Sequence, residues 1–164
     1  MARVYISLGS NIDAANHLRR GVAALRAQFG ELILSSVYES EAVGFEGDNF
    51  LNAVAGLDTD RSIDEVVDIL HRIEDENGRV RSGPRFSART LDLDLLLYDD
   101  RVQGPEPGPA LPRDEITKNA FVLWPLAEIA PETVHPVIGR TLAELWADFD
   151  KASQRLWPIP FHWS

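Results

Sequence analysis

The chain has 164 residues, 45% of them hydrophobic, enough for one domain with a substantial core. Its 26 acidic and 16 basic side chains leave a net charge of −10, which argues against nonspecific binding to nucleic acid or to a membrane surface. The absence of cysteine excludes disulfides, thiolate zinc sites and cysteine nucleophiles and is compatible with a reducing cytoplasm, and no apolar run reaches the ~20 residues of a membrane span.

MARVYISLGS at the start reads as a strand rather than a signal peptide, with Val4, Ile6 and Leu8 on one face. Gly9-Ser10-Asn11 reads as a turn; its residue types serve turns and caps as readily as a ligand. From Asp13 to Phe29, Leu18, Val22, Leu25 and Phe29 recur at helical spacing, and Gly30 ends the helix. His17 is expected to face solvent. Glu31–Tyr38 is the second predicted strand. The loop after it, residues 40–48, holds two glycines and is placed to close on a ligand. Asn49–Leu57 is the third strand, apolar on both faces except for Asn52. That amide either bonds nearby backbone or, beside Phe50, binds a flat heterocycle. Ser62 and Glu65 form a capping box ahead of a second helix, which stops at Asn77-Gly78 with Glu74 in its last turn. Glu74 reads there as a solvated residue or as the partner of a nearby arginine, and His71 as exposed.

Arg79, Arg81, Arg85 and Arg89 then crowd one loop, a local positive anomaly in an acidic chain. They lead into the fourth strand, Leu91–Tyr98. Side chains alternate along a strand, so Asp92 and Asp94 share one face, and Leu91, Leu93, Leu95 and Leu97 share the other. Any half-solvated strand shows such alternation. Asp is depleted in strands, however, and two on one face repel unless something cationic lies between them. The pair, roughly 6.5–7 Å apart at Cα, suits two oxygen-liganded cations or two sides of one cluster. The arginines would hold phosphate oxygens that such cations bridge.

The order strand, helix, strand, strand, helix, strand is that of a ferredoxin-like βαββαβ α+β sandwich, an antiparallel sheet with helices packed on one side of it. Val102–Pro112 reads as an ordered loop, and Phe121–Leu126 as a short apolar segment limited by Pro125. A second capping box, Thr141 and Glu144, starts a C-terminal helix. The tail from Leu156 is expected to drape over the surface, because its prolines oppose a ladder. No repeat or linker divides residues 1–164, so one domain is expected.

From the first strand to about Leu145 the chain resembles the 6-hydroxymethyl-7,8-dihydropterin pyrophosphokinases of folate biosynthesis. The likeness rests on YISLGSN, Tyr38-Glu39-Ser40 with Val43-Gly44, Phe50-Leu51-Asn52-Ala53, Arg72-Ile73-Glu74, Gly78-Arg79-Val80-Arg81, Arg89-Thr90-Leu91-Asp92-Leu93-Asp94, and Phe121–Leu126 with Glu128–Pro131. It implies a Mg²⁺-dependent transfer of pyrophosphate from ATP to the pterin hydroxymethyl group, releasing AMP; a cytoplasmic monomer is expected. It implies two Mg²⁺ ions on Asp92 and Asp94, with Arg79 and Arg89 acting in the chemistry. Glu74, Arg81, Arg85, Arg89, Leu95 and Arg113 fall on the ATP side. Phe50 and Phe121 fall where the family sandwiches the pterin ring, and Ser40, Val43 and Asn52 on the rest of that pocket. The chain departs from the family pattern at Pro112-Arg113, where Pro-His is usual, at Asn119, where Arg is usual, and at Phe86, where Trp is common. Arg113 and Lys118 are the candidate replacement donors. The other readings are a non-catalytic pterin- or nucleotide-binding paralogue and, against the acidic balance, a ferredoxin-like nucleic-acid binder.

Overall fold

The alternating run at Asp92 forms an outer strand of an antiparallel sheet that carries helices on both faces. The computed structural model describes residues 1–41, 49–78, 90–106 and 108–163. Arg79, Arg81, Arg85, Arg89 and Val43 lie outside the described residues.

In chain order the elements are β1 (Ala2–Ser10), α1 (Ala14–Phe29), β2 (Ile33–Leu34), β3 (Val37–Ser40), β4 (Phe50–Thr59), α2 (Ile63–Glu76), β5 (Asp92–Tyr98), α3 (Glu115–Lys118), α4 (Ala120–Ile129), α5 (Leu142–Asp148), a 3₁₀ turn (Lys151–Ser153) and β6 (Leu156–Ile159). The sheet order is β5-β1-β4-β3-β6, with β2 also paired to β4.

One core lies under α1 and α2: Val4, Ile6 and Leu8 of β1, Ala53, Ala55 and Leu57 of β4, and Leu93 and Leu95 of β5 meet Leu18, Val22, Leu25, Val66, Leu70 and Ile73. A second core lies on the opposite face, where Tyr5, Val54, Leu96 and Leu97 meet Ile116, Val122, Leu123, Leu126 and Leu142. The expectation of helices on one side therefore covers only α1 and α2.

Several local expectations change with tertiary context. Gly9 and Ser10 continue β1 rather than turning. His17 is buried, with Nδ1 2.6 Å from the Ile12 carbonyl oxygen, so it secures the start of α1 instead of facing solvent. The second strand breaks at Ser35-Ser36. The Ser35 hydroxyl accepts the Val54 N–H (2.8 Å), and the Ser36 N–H goes to Glu128 (3.0 Å). The alternation of β5 is interrupted as well. Tyr5 pairs Leu97 while Ile6 pairs Leu95, so Leu96 is an inserted residue and Leu97 turns to the Tyr5 face.

Phe121–Leu126 lies within α4, with Pro125 inside the helix. Its faces are apolar because sheet and α5 bury it from two sides. The tail does join the ladder: β6 pairs with β3, Tyr38 opposite Pro158. An outermost strand tolerates a residue with no N–H to give. Both capping boxes form as read, at Ser62/Glu65 and Thr141/Glu144.

Glu128 joins α4 to the kinked strand. Its Oε1 accepts from the Ser36 N–H and from the Tyr38 hydroxyl (2.8 Å), and its Oε2 from the Ser36 hydroxyl (2.7 Å). Burial, then the Glu128 carboxylate, pushes the Tyr38 hydroxyl pKa up. Glu128→Ala is expected to cost about 1–2 kcal/mol, read as a lower urea midpoint at unchanged slope. An unchanged midpoint would show that the kink holds without this carboxylate.

Candidate active site

On the face of the sheet covered by α4, the register sets Tyr38, Asn52, Gly9 and Asp92 in one row across β3, β4, β1 and β5. Asn52 is buried, and its Nδ2 donates to Ser40 Oγ at 2.9 Å. The polar residue that broke the apolar pattern of β4 thus has a side-chain partner on β3. Phe50, opposite Ser40 at the start of β4, shares its face with Asn52 by strand alternation. Phe121, in the first turn of α4, is half-buried against the core on this face. Pro125 has no N–H to give the Phe121 carbonyl, so the first turn of α4 lacks that helical bond.

Gly9 separates the Asn52 end of the row from the Asp92 end. A Cβ there would stand 3.1 Å from Asn52 Oδ1. Two strand spacings put Asn52 and Asp92 roughly 9–10 Å apart at Cα, with no side chain on the floor between them. An isolated glycine in a strand pattern signals a close approach, and that clue was present in the sequence under the turn reading.

Asp94, two residues along and opposite Ser7, is half-buried. Arg113 Nη2 lies 3.3 Å from Asp94 Oδ1 and 3.1 Å from Glu115 Oε1. The Arg113 N–H donates to the Leu96 carbonyl (3.0 Å) on the outer side of β5, which fixes the guanidinium beside the carboxylates. Burial, then the Asp92 charge, pushes the Asp94 carboxyl up to about 7 against the pull of Arg113; Glu115 and Glu74 push the same way. Burial alone would lower the Arg113 pKa, but Asp94 and Glu115 hold it raised.

Glu74 is buried, not solvated, and its Oε2 accepts the Leu93 N–H at 2.9 Å. It stands at the outer edge of β5 and adds negative charge near Asp94. Leu95 packs in the core under α1 and α2, so its main chain is what it offers to a ligand. Glu115 was missed by sequence reading, since nothing in its local pattern places it near Asp94.

The site therefore joins an amide–hydroxyl pair to an acidic end. At the acidic end, Asp92 and Asp94 are carboxylates on one strand face with a cation already drawn to one of them. Among the described residues no three acidic or histidine side chains close a cage. An all-oxygen pair of this kind suits a hard cation that keeps waters and substrate oxygens as its other ligands.

Residues 5–131 match the family model 7,8-dihydro-6-hydroxymethylpterin-pyrophosphokinase (HPPK). The chain belongs to this family. A 2-amino-4-hydroxy-6-hydroxymethyldihydropteridine pyrophosphokinase from Aquifex aeolicus is 34% identical over 146 residues, covering 88% of this chain and 90% of that protein. One of the same name from Pseudomonas aeruginosa is 38% identical over 152 residues, with 88% and 90% covered. Among solved structures, Plasmodium falciparum HPPK-DHPS superposes with a TM-score of 0.70 at 13% identity, over 89% of this chain. That likeness concerns the fold, and the chain spans 44% of the Plasmodium protein's length. The HPPK match ends before α5, the 3₁₀ turn and β6.

Proposed function

We infer that this HPPK-family protein transfers the β,γ-pyrophosphoryl group of ATP to the hydroxymethyl group of 6-hydroxymethyl-7,8-dihydropterin, releasing AMP, in folate biosynthesis. The observation that carries the reading is the cross-strand row in which Asn52 and Asp92 flank the bare backbone of Gly9. A heterocycle held at the Asn52 end can present a substituent to phosphates held at the Asp92 end.

In this reading Asn52 and Ser40 bond the polar edge of the pterin, Phe50 and Phe121 stack on its faces, and Val43 borders the ring. A buried amide gives both donors and an acceptor, which selects the pterin edge over an apolar ring. Asp92 and Asp94 would hold two Mg²⁺ ions, which would supply charge neutralisation for the phosphate oxygens. Arg79 and Arg89 stabilise charge moving onto AMP as the hydroxymethyl oxygen bonds to the β-phosphorus, gives up its proton to solvent, and the bond from that phosphorus to the AMP oxygen breaks. Arg81, Arg85 and Arg113 bind the triphosphate, with Leu95 and Glu74 on the same side. Arg113 suits that task because its guanidinium is already charged and positioned beside Asp94. Most of the rate would come from positioning and electrostatics rather than covalent catalysis. The protein acts as a single-domain cytoplasmic monomer over residues 1–164.

The test is AMP release from Mg-ATP by the purified protein, with and without the dihydropterin. Pterin-dependent AMP is expected. Retained pterin binding without AMP would overturn the catalytic reading in favour of a binding paralogue.

A further inference from the structure

The C-terminal stretch beyond the HPPK match does more than cover the sheet. Three successive residues reach three parts of the candidate site's surroundings. Gln154 Nε2 donates to the Lys118 carbonyl (2.7 Å), and its Oε1 accepts the Ala120 N–H (2.7 Å). Arg155 Nη1 lies 3.3 Å from Glu41 Oε1, just after β3. Leu156 pairs with Ser40, the residue that holds Asn52.

The Gln154 contact is the most specific of these. Lys118 ends α3, Ala120 begins α4, and Asn119 between them is the single extended residue, at φ −118 and ψ 119. Asn119 supplies no side-chain cap to α4. An amide 34 residues away takes that place, since helix N-termini leave N–H groups that need an acceptor. By bonding on both sides of Asn119 it fixes the angle between the two helices. Phe121 is the next residue after Ala120, so that angle sets where its ring stands.

The 3₁₀ turn that leads into Gln154 is braced. Lys151 Nζ donates to the Trp146 carbonyl (2.5 Å) at the end of α5 and stands 4.6 Å from the Trp146 ring centroid. The Ser153 hydroxyl donates to the Asp150 carbonyl (2.6 Å), and β6 follows directly.

We propose that Gln154 is a positioning residue for the pterin pocket, acting through the α3–α4 junction on Phe121; this rests on the functional reading above. One amide serves both groups because its oxygen accepts from the Ala120 N–H and its NH₂ donates to the Lys118 carbonyl.

The test compares Gln154→Ala and Gln154→Glu with the wild type, measuring dihydropterin binding, KM for each substrate, kcat and Tm. Gln154→Glu keeps an acceptor for Ala120 but turns its second oxygen on the Lys118 carbonyl, acceptor against acceptor, so it breaks the bridge without shortening the side chain. Expected for Gln154→Ala is an about tenfold higher KM for the pterin, with kcat and KM for ATP within about twofold; Gln154→Glu should raise the pterin KM at least as far. An unchanged pterin KM in both variants, or pterin and ATP values rising together with a fall in Tm, would overturn the proposal. A wild type that binds no pterin would instead bring down the functional reading, and the proposal with it.

Discussion

Asp94→Asn is expected to lower kcat for pyrophosphoryl transfer by about a thousandfold or more while leaving the protein folded. The substitution keeps the shape of the side chain and removes the charge that makes it a ligand for a hard cation. Asp94 lies on the strand face away from the core under α1 and α2, so no apolar contact there is lost. Full activity in this variant would refute the metal assignment.

The same residue gives a readout that needs no turnover. Its folded-state carboxyl is pushed from an ordinary 3.8 up to about 7, by burial first and then by Asp92. Between those two values the folded state holds a proton that the unfolded state has lost. The unfolded state thus binds fewer protons there, so the metal-free protein becomes less stable as pH rises through this window and levels off above it. Asp94→Asn removes that contribution, so its Tm should fall less than the wild type's between about pH 4 and about pH 7. Mg²⁺ affinity of the wild type should rise over the same range, because the ion no longer has to displace a proton. Parallel Tm–pH curves for the two proteins would show that Asp94 is not the titrating group.

Phe121→Ala is expected to weaken dihydropterin binding about 30-fold, roughly 2 kcal/mol, with ATP affinity within about twofold. The ring sits in the first turn of α4, over the face that carries Asn52 and Val54. Truncating it also removes part of the core packing, so Tm should fall. Phe121→Leu separates the two effects. Leucine keeps most of the apolar volume and loses the flat face, so it should recover stability without recovering pterin affinity. Isothermal titration with each substrate decides the case. Equal losses for pterin and ATP would mean that the pocket lies elsewhere.

What was legible in the sequence had a short-range cause. The Thr90–Leu95 alternation needs only the pleat of one strand, and it put Asp92 and Asp94 on one face before any partner strand was known. The two capping boxes close within four residues, and both form. The period of α1 and α2 follows from one buried stripe each. Asn52 announced itself as a polar exception between apolar neighbours, because a buried amide must be satisfied.

Other features depended on partners far along the chain. His17 is polar by type, yet the Ile12 carbonyl and the packing around α1 bury it. Residues 121–126 have no clear period because α4 is covered on both sides, so pattern alone could not settle their conformation. Pro158 argued against a strand, and only the edge position of β6 permits it.

By itself the sequence determined the alternating carboxylate strand, the caps and periods of the main helices, the βαββαβ order and the family. These rest on backbone geometry and neighbours a few residues apart. Only the tertiary structure decided that Gly9 lies between Asn52 and Asp92, that Arg113 meets Asp94, and that Gln154 spans the α3–α4 junction. Those contacts join residues from about 20 to more than 80 positions apart. Strand register and helix packing bring them together, and no local pattern of residue types encodes either.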